Sequence, residues 1–303
     1  MLRTNQLIGF GENDSGSVGT RGSFGGGPSG GGPFNFISIQ SLGNGTSFGQ
    51  LTVYRYVGAA AGNITRALYA GGYTGSAYSA VIDYFTWATL GNSVSFGSLG
   101  VSRANSGGCA NDVRALFGAG NNASFQSRID FVAIDTTGNG SNFGSLTSLR
   151  QGPAACASAT RGVWAGGYNN SQQSAIEYVT IATTGNGANF GSLTQSRYYA
   201  SGCSNGVRGV FGGGGGSDYN IIDYITIAST GNATDFGNLT VGREFAGACS
   251  DGIRGVWAGG SASSVAQNVI DYITIASTGN ATDFGDLTFV TSNSSGCAEY
   301  CPT

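Results

Sequence analysis

The stretch IDYITIASTGNATDFG fills residues 222–237 and returns, letter for letter, at residues 270–285. Its closing Phe-Gly pair supplies a ruler for the whole chain. Phe48, Phe96, Phe143, Phe190, Phe236 and Phe284 stand 48, 47, 47, 46 and 48 residues apart. A second marker, Arg before an apolar pair and glycines (RGVWAGG at 161–167), recurs at Arg21, Arg66, Arg114, Arg161, Arg208 and Arg254. Both markers keep one period, so they belong to one unit written six times. A unit of this size buries its apolar face only against its neighbours, which is the logic of repeat folds.

Inside a unit the apolar residues alternate or run in short blocks bounded by Gly, Asn, Ser and Thr, the pattern of strands. In the unit that closes the array these are FAGACS (245–250), RGVWAGG (254–260), IDYITIA (270–276) and DFGDLT (283–288). Four short strands per unit predict an all-β, six-bladed β-propeller over 20–303, with 1–19 as an N-terminal anchor or arm. A β-solenoid is the structural alternative. The final SSGCAEYC aligns with NSGGCAND and AGACSDGI, so 294–300 is expected to complete the first blade beside 22–26 and remove the open sheet edges.

Three aromatic positions recur as well. Phe24, Tyr69, Phe117, Trp164, Phe211 and Trp257 form one ring, Phe36, Tyr84, Phe131, Tyr178, Tyr224 and Tyr272 a second, and the Phe-Gly phenylalanines a third. Packing between blades accounts for all three. An apolar strand ending in a glycine pair (VWAGG, 163–167), then IEYVTIATTGNGANFGSL (176–193) and Arg197, resembles the kelch repeat. The chain departs from it in carrying Phe where Trp is usual, and Ala119 where the third unit should have its first glycine. The resemblance implies a kelch-like propeller; the copper oxidase chemistry known on that fold needs His, and this chain has none.

Composition narrows the chemistry further. All thirteen basic residues are Arg and the net charge is -3, so a phosphate loop with its lysine and a basic nucleic-acid face are both excluded. Without His, zinc and general-base chemistry lose their usual ligand and proton carrier, and no cofactor is expected. GGGPSG (25–30) matches a dinucleotide fingerprint only in letters, because no helix follows it. The start of the chain has no seven-residue apolar run and no stretch approaches twenty, so neither a signal peptide nor a membrane span is expected. Cys109, Cys156, Cys203, Cys249 and Cys297 fall at one repeat position, with Ala61 in the first copy, and read as small buried thiols; Cys301 lies close enough in sequence to Cys297 for a pair to be considered.

The charged residues are written by the repeat. Arg21, Arg66, Arg114, Arg161, Arg208 and Arg254 make one ring; Arg55, Arg103, Arg150, Arg197 and Arg243 make another that stops at Thr291. Asp83, Asp130, Glu177, Asp223 and Asp271 share one position, with Asn35 in the first unit. Guanidinium groups that bridge these carboxylates and backbone carbonyls would form an internal structural ring, the alternative being an anion site in the central channel. The Gly-Asn turns, LGNGT to TGNAT, are read as hairpin turns in which Gly-Asn supplies a positive φ and local side-chain hydrogen bonds.

What the repeat fails to copy is the loop after each glycine pair. Six such loops should gather on one face, and Tyr73, Tyr78, Asn121, Asn122, Tyr168, Asn169, Asn170 and Tyr219 offer ring faces and amides suited to a glycan or a protein. Gly/Ser/Thr/Asn-rich kelch-like arrays of this style, with LIGFG ahead of the first copy, resemble structural proteins of tailed marine bacteriophages. That resemblance implies a non-enzymatic virion surface component, a head decoration, head fibre or tail appendage. It would meet other virion proteins through residues 1–19, bind host or environmental glycans, bind no nucleic acid, and leave room for homo-oligomers. A secreted carbohydrate-binding lectin and a propeller glycan hydrolase or lyase are the alternatives.

Overall fold

The computed structural model describes residues 18–26, 34–217, 219–300 and 302. Its strands form six antiparallel sheets, with no helix among the described residues. The second blade shows the pattern: Ala59–Gly62 innermost, then Arg66–Ala70, Val81–Thr86 and, outermost, Val94–Ser98. Only the last blade adds to this, through a two-residue strand at Ser261–Ala262. The innermost strands touch in a closed circle, each meeting the next and the last meeting the first. This is a six-bladed β-propeller.

Closure follows the expected route. Ser295–Tyr300 is the innermost strand of the first blade and pairs with Val18–Gly25, placing Gly22 opposite Ala298 and Phe24 opposite Gly296. The two ends of the described chain are thus hydrogen-bonded neighbours, and the first blade has its four strands like the others. Residues 1–17, most of the expected arm, lie outside the described residues, as do Cys301 and 27–33 with most of the GGGPSG stretch.

Packing between blades explains which residues repeat. Trp164 and Trp257 are fully buried and lie over Gly118 and Gly212 of the preceding blade, where a Cβ would stand 2.8 Å from the indole. Trp164 also donates its Nε1–H to the carbonyl of Gly107 across the seam, at 3.0 Å. Where the preceding blade ends this strand in Ala instead (Ala70, Ala165, Ala258), the partner is the smaller Phe117, Phe211 or Phe24. Large against small alternates around the ring, which keeps every seam at close-packed density. The inner circle follows the same rule. Cys156 Sγ would be 2.5 Å from a Cβ at Gly209, and Cys109, Cys203 and Cys249 likewise face Gly162, Gly255 and Gly22. Where Ala61 replaces the thiol, its opposite number is Ala115. All five repeat cysteines are free and buried; burial pushes the thiols of Cys109 and Cys297 up to about 12, so they stay neutral and unreactive near neutral pH.

The Gly-Asn turns correct one reading. Their asparagines do not take a positive φ, and their side chains do not serve the hairpin. Asn139, Asn186, Asn232 and Asn280 each accept, through Oδ1, the backbone N–H that follows the Phe-Gly pair of the preceding blade, at 3.0–3.1 Å. Asn44 does the same for Asp286, from the first blade to the last. The Phe-Gly glycine is required by the same contact, since a Cβ at Gly144 would collide with the carbonyl of Gly185. The Asn and the closing Phe-Gly of the repeated sixteen residues are therefore both seam contacts.

Candidate functional site

Strand direction sorts the loops by face. The loops between second and third strands and the crossovers from one blade to the next lie on one face, here the upper. The first-to-second and Gly-Asn turns lie on the other, together with Tyr300 and, opposite it in the ladder, Val18. The upper loops are bolted down by backbone bridges on both sides: Tyr73 bridges Tyr56 and Tyr78, Asn121 bridges Ala104 and Phe125, and Tyr168 bridges Gln151 and Gln172. The glycine pairs at 71–72, 166–167, 213–214 and 259–260 make this possible, because both members hold a left-handed φ (68° and 111° at Gly166 and Gly167) that an L side chain resists.

The eight loop residues expected at a site divide accordingly. Tyr73, Tyr78, Asn121 and Tyr168 join one continuous arc. Ring centroids step from Tyr54 to Tyr56 (6.3 Å), to Tyr73 (5.8 Å) and to Tyr78 (5.2 Å). The Tyr78 hydroxyl then accepts from Asn121 Nδ2 at 3.1 Å, and Asn105 Nδ2 donates to Asn121 Oδ1 at 3.0 Å and to Gln151 Oε1 at 3.4 Å. Beyond this amide group a second aromatic wing runs from Phe125 to Tyr168 (6.0 Å), Tyr198 (5.2 Å), Tyr199 (4.8 Å) and Phe245 (3.8 Å). The other four do not enter the arc. Asn122 and Asn169 accept from Gln126 and Gln173 within their own turns, Asn170 is an exposed corner at φ 67°, and the Tyr219 backbone closes its loop onto Gly214.

Sequence reading missed the residues nearest the axis. Val57, Asn105, Gly152, Tyr199 and Phe245 take φ values of 52°, 55°, 62°, 54° and 57°. They are linked in a spiral of backbone hydrogen bonds, each N–H to the carbonyl one blade back, from Asn105 to Val57 through to Ser294 on Phe245, at 2.8–3.0 Å. Together they frame the upper mouth of the channel, a cavity of about 80 Å³. A signal was present: each position sits two residues past a recurrent Arg and varies freely while the Arg does not.

The two arginine rings have separate duties. Arg55, Arg103, Arg150, Arg197 and Arg243 are buried and pair with Asp83, Asp130, Glu177, Asp223 and Asp271 at 2.6–2.9 Å. Burial pulls their pKa below the ordinary arginine value, and the facing carboxylate pushes it back. Thr52, Thr194 and Thr240 from the crossover bind the same carboxylates. Each pair therefore fastens an incoming crossover to the blade it enters, directly beneath the arc. Arg66, Arg114, Arg161, Arg208 and Arg254 instead lie 4.4–5.0 Å over the rings of Tyr84, Phe131, Tyr178, Tyr224 and Tyr272. Each donates to a carbonyl of the next blade, Arg254 closing the circle onto Ile39. Arg21 alone pairs with Glu299.

The channel does not match an anion site, because among the described residues those that line it are Gly, Ala, Ser, Cys and Pro153, with Tyr300 and Pro302 at the lower mouth, and no Arg is among them. Among the described residues no group of three His, Cys, Asp or Glu is arranged to hold a metal ion. Among the described residues no helix is long and apolar enough to cross a membrane. The upper face can thus offer stacking, amide hydrogen bonds and shape. Compared with family models and with curated proteins, the chain matches none of either.

Proposed function

We propose that this chain is a non-enzymatic binding and structural module of a virion surface, which holds the particle by its lower face and residues 1–19 and offers its upper face to a host or environmental glycan. One observation carries the reading: the aromatic-amide arc lies on the face opposite Val18 and Tyr300, so an attachment through the chain ends leaves the arc pointing outward. The Gly/Ser/Thr/Asn-rich, kelch-like repeat, whose style resembles structural proteins of tailed marine bacteriophages, supports the virion setting. The chemistry supports the ligand class, since stacked tyrosines interrupted by amides suit sugar rings, whose faces are apolar and whose edges carry hydroxyls. Mass spectrometry of purified particles should find the chain, and particles assembled from a genome that encodes it without residues 1–17 should lack it. Recovery only as a free protein that still binds glycans would move the reading to a secreted lectin. Measurable cleavage of a bound glycan would end the non-enzymatic assignment.

A further inference from the structure

Four of the five left-handed residues at the upper mouth are not glycine, and three of them, Val57, Tyr199 and Phe245, belong to types that rarely adopt this conformation. Gly152 shows that glycine fits the same spiral. Bulky side chains held at strained positions, where glycine would relax the backbone by about 1 kcal/mol each, call for a role at the mouth itself. Their arrangement suggests which. The Tyr199 ring is laid over Gly152, where a Cβ would run into it, and Phe245 stacks on Tyr199 with 25° between the planes. The pair therefore leans toward the amide group on the neighbouring blades. There the hydrogen bonds within the protein use Asn105 Nδ2 and Gln151 Oε1, leaving Asn105 Oδ1, on a residue that lines the mouth, as an acceptor and Gln151 Nε2, on the amide joined to it at 3.4 Å, as a donor. Ser294 Oγ, lining the same cavity, is buried without a hydrogen-bond partner.

Building on the glycan reading above, we propose that the upper mouth is a subsite for one neutral sugar ring: Asn105 Oδ1 and Gln151 Nε2 meet two adjacent hydroxyls, and the ring's apolar face packs on the Tyr199–Phe245 pair. An acceptor beside a donor matches a vicinal diol, in which each hydroxyl can give one hydrogen bond and take another. Neutrality follows from the surroundings. The arginines beneath the mouth are buried and already paired, and the charged side chain of the rim, Glu244, is an acid. The Tyr199 hydroxyl stays protonated as a donor, because burial, reinforced by Glu244, raises it to about 12.

Saturation-transfer NMR on the full chain tests this with methyl α-mannopyranoside, methyl β-galactopyranoside and methyl β-glucopyranoside, and with N-acetylneuraminic acid as the anionic comparison. At least one neutral glycoside should receive saturation and the anionic sugar none. Phe245→Gly and Gln151→Ala should each weaken the binding about tenfold, the equivalent of one lost stacking or hydrogen-bonding contact. Val113→Ser, on the lower face, should change nothing. Phe245→Gly should also raise Tm, since glycine suits its φ of 57°. Loss of binding with gain of stability separates a ligand contact from a packing role. Unchanged binding in both mouth variants, with loss in Tyr73→Ala instead, would overturn the subsite and leave the glycan module standing. A preference for the anionic sugar would overturn neutrality, a lower Tm for Phe245→Gly would overturn the strain argument, and no saturation of any probe would end both readings.

Discussion

The first blade and the five that follow it use the same repeat positions for different bonds. In blades two to six the chain turns directly from innermost to second strand, and the residue that opens the turn caps it: Asn63, Asn111, Ser158, Asn205 and Asp251 accept the N–H of Arg66, Arg114, Arg161, Arg208 and Arg254 through a side-chain oxygen. In the first blade no such turn exists, because these two strands are the two ends of the described chain. There the capping position holds Glu299, and Arg21 leaves the ring-stacking duty of its counterparts to grip that carboxylate with Nε and Nη2 at 2.8 and 2.9 Å. The crossover into the first blade is neutral as well: Asn35 stands for the carboxylate, Thr291 for the arginine, and Asn35 Oδ1 accepts from both the N–H and the hydroxyl of Thr288. At the crossover a buried charge is thus either present with its partner or absent with its partner.

The largest way to break the comparison is to make half of that exchange. Asp223→Asn leaves Arg197 fully buried with no counter-charge and weakens the acceptor of Thr194. It should cost about 3–5 kcal/mol in urea unfolding, the range for removing one partner of a buried pair. Adding Arg197→Thr copies the crossover into the first blade, and the double variant should unfold at higher urea than the single one. A double variant weaker than the single would mean that the carboxylate serves the arc above it more than its arginine.

The reverse exchange is smaller and carries a pH signature. Asn35→Asp installs a fully buried carboxyl beside Thr288 and Thr291, with no arginine at hand. Desolvation raises its folded-state pKa above the unfolded value of about 3.9. The folded protein then holds its proton longer, so stability matches the parent below that pH and falls as pH rises through the raised value. Urea midpoints from pH 4 to 8 should show a loss of about 1–2 kcal/mol at the upper end, with Thr291→Arg restoring part of it.

The period, the six blades and the closure by 294–300 were legible because they depend on spacing, and spacing survives in a linear string. Seams were not, because a seam joins residues that only the closed ring brings together. Asn139 and Asn232 sit in turns whose local chemistry is a sufficient account, so nothing in the string points to the preceding blade. The two arginine rings share one period, and spacing alone gives no means of telling which one meets Asp83 and its equivalents. At the upper face the glycine-pair loops drew attention because the repeat does not copy their sequence. Asn105, Tyr199 and Phe245 vary in identity at constant length, which reads as linker until their positive φ is known.

The smallest test asks whether the ion pair across the chain ends holds the ring shut or only decorates it. Arg21 and Glu299 keep 28% and 18% of their side chains exposed, so solvent screens the pair, and surface pairs are worth about 0–1 kcal/mol. The bidentate fork places it at the upper end of that range. The strand ladder beneath it, with Ser23 hydroxyl bonds to Cys297 O and to the Tyr69 hydroxyl, does not depend on it. Glu299→Gln keeps the shape and one acceptor and should lower Tm by about 1–2 °C. The difference from the parent should shrink further in 1 M salt, where charges are screened beyond about 3 Å. A drop as large as that of Asp223→Asn, unaffected by salt, would show that closure rests on this one pair and not on the ladder, and the first blade would then be the weakest place in the ring.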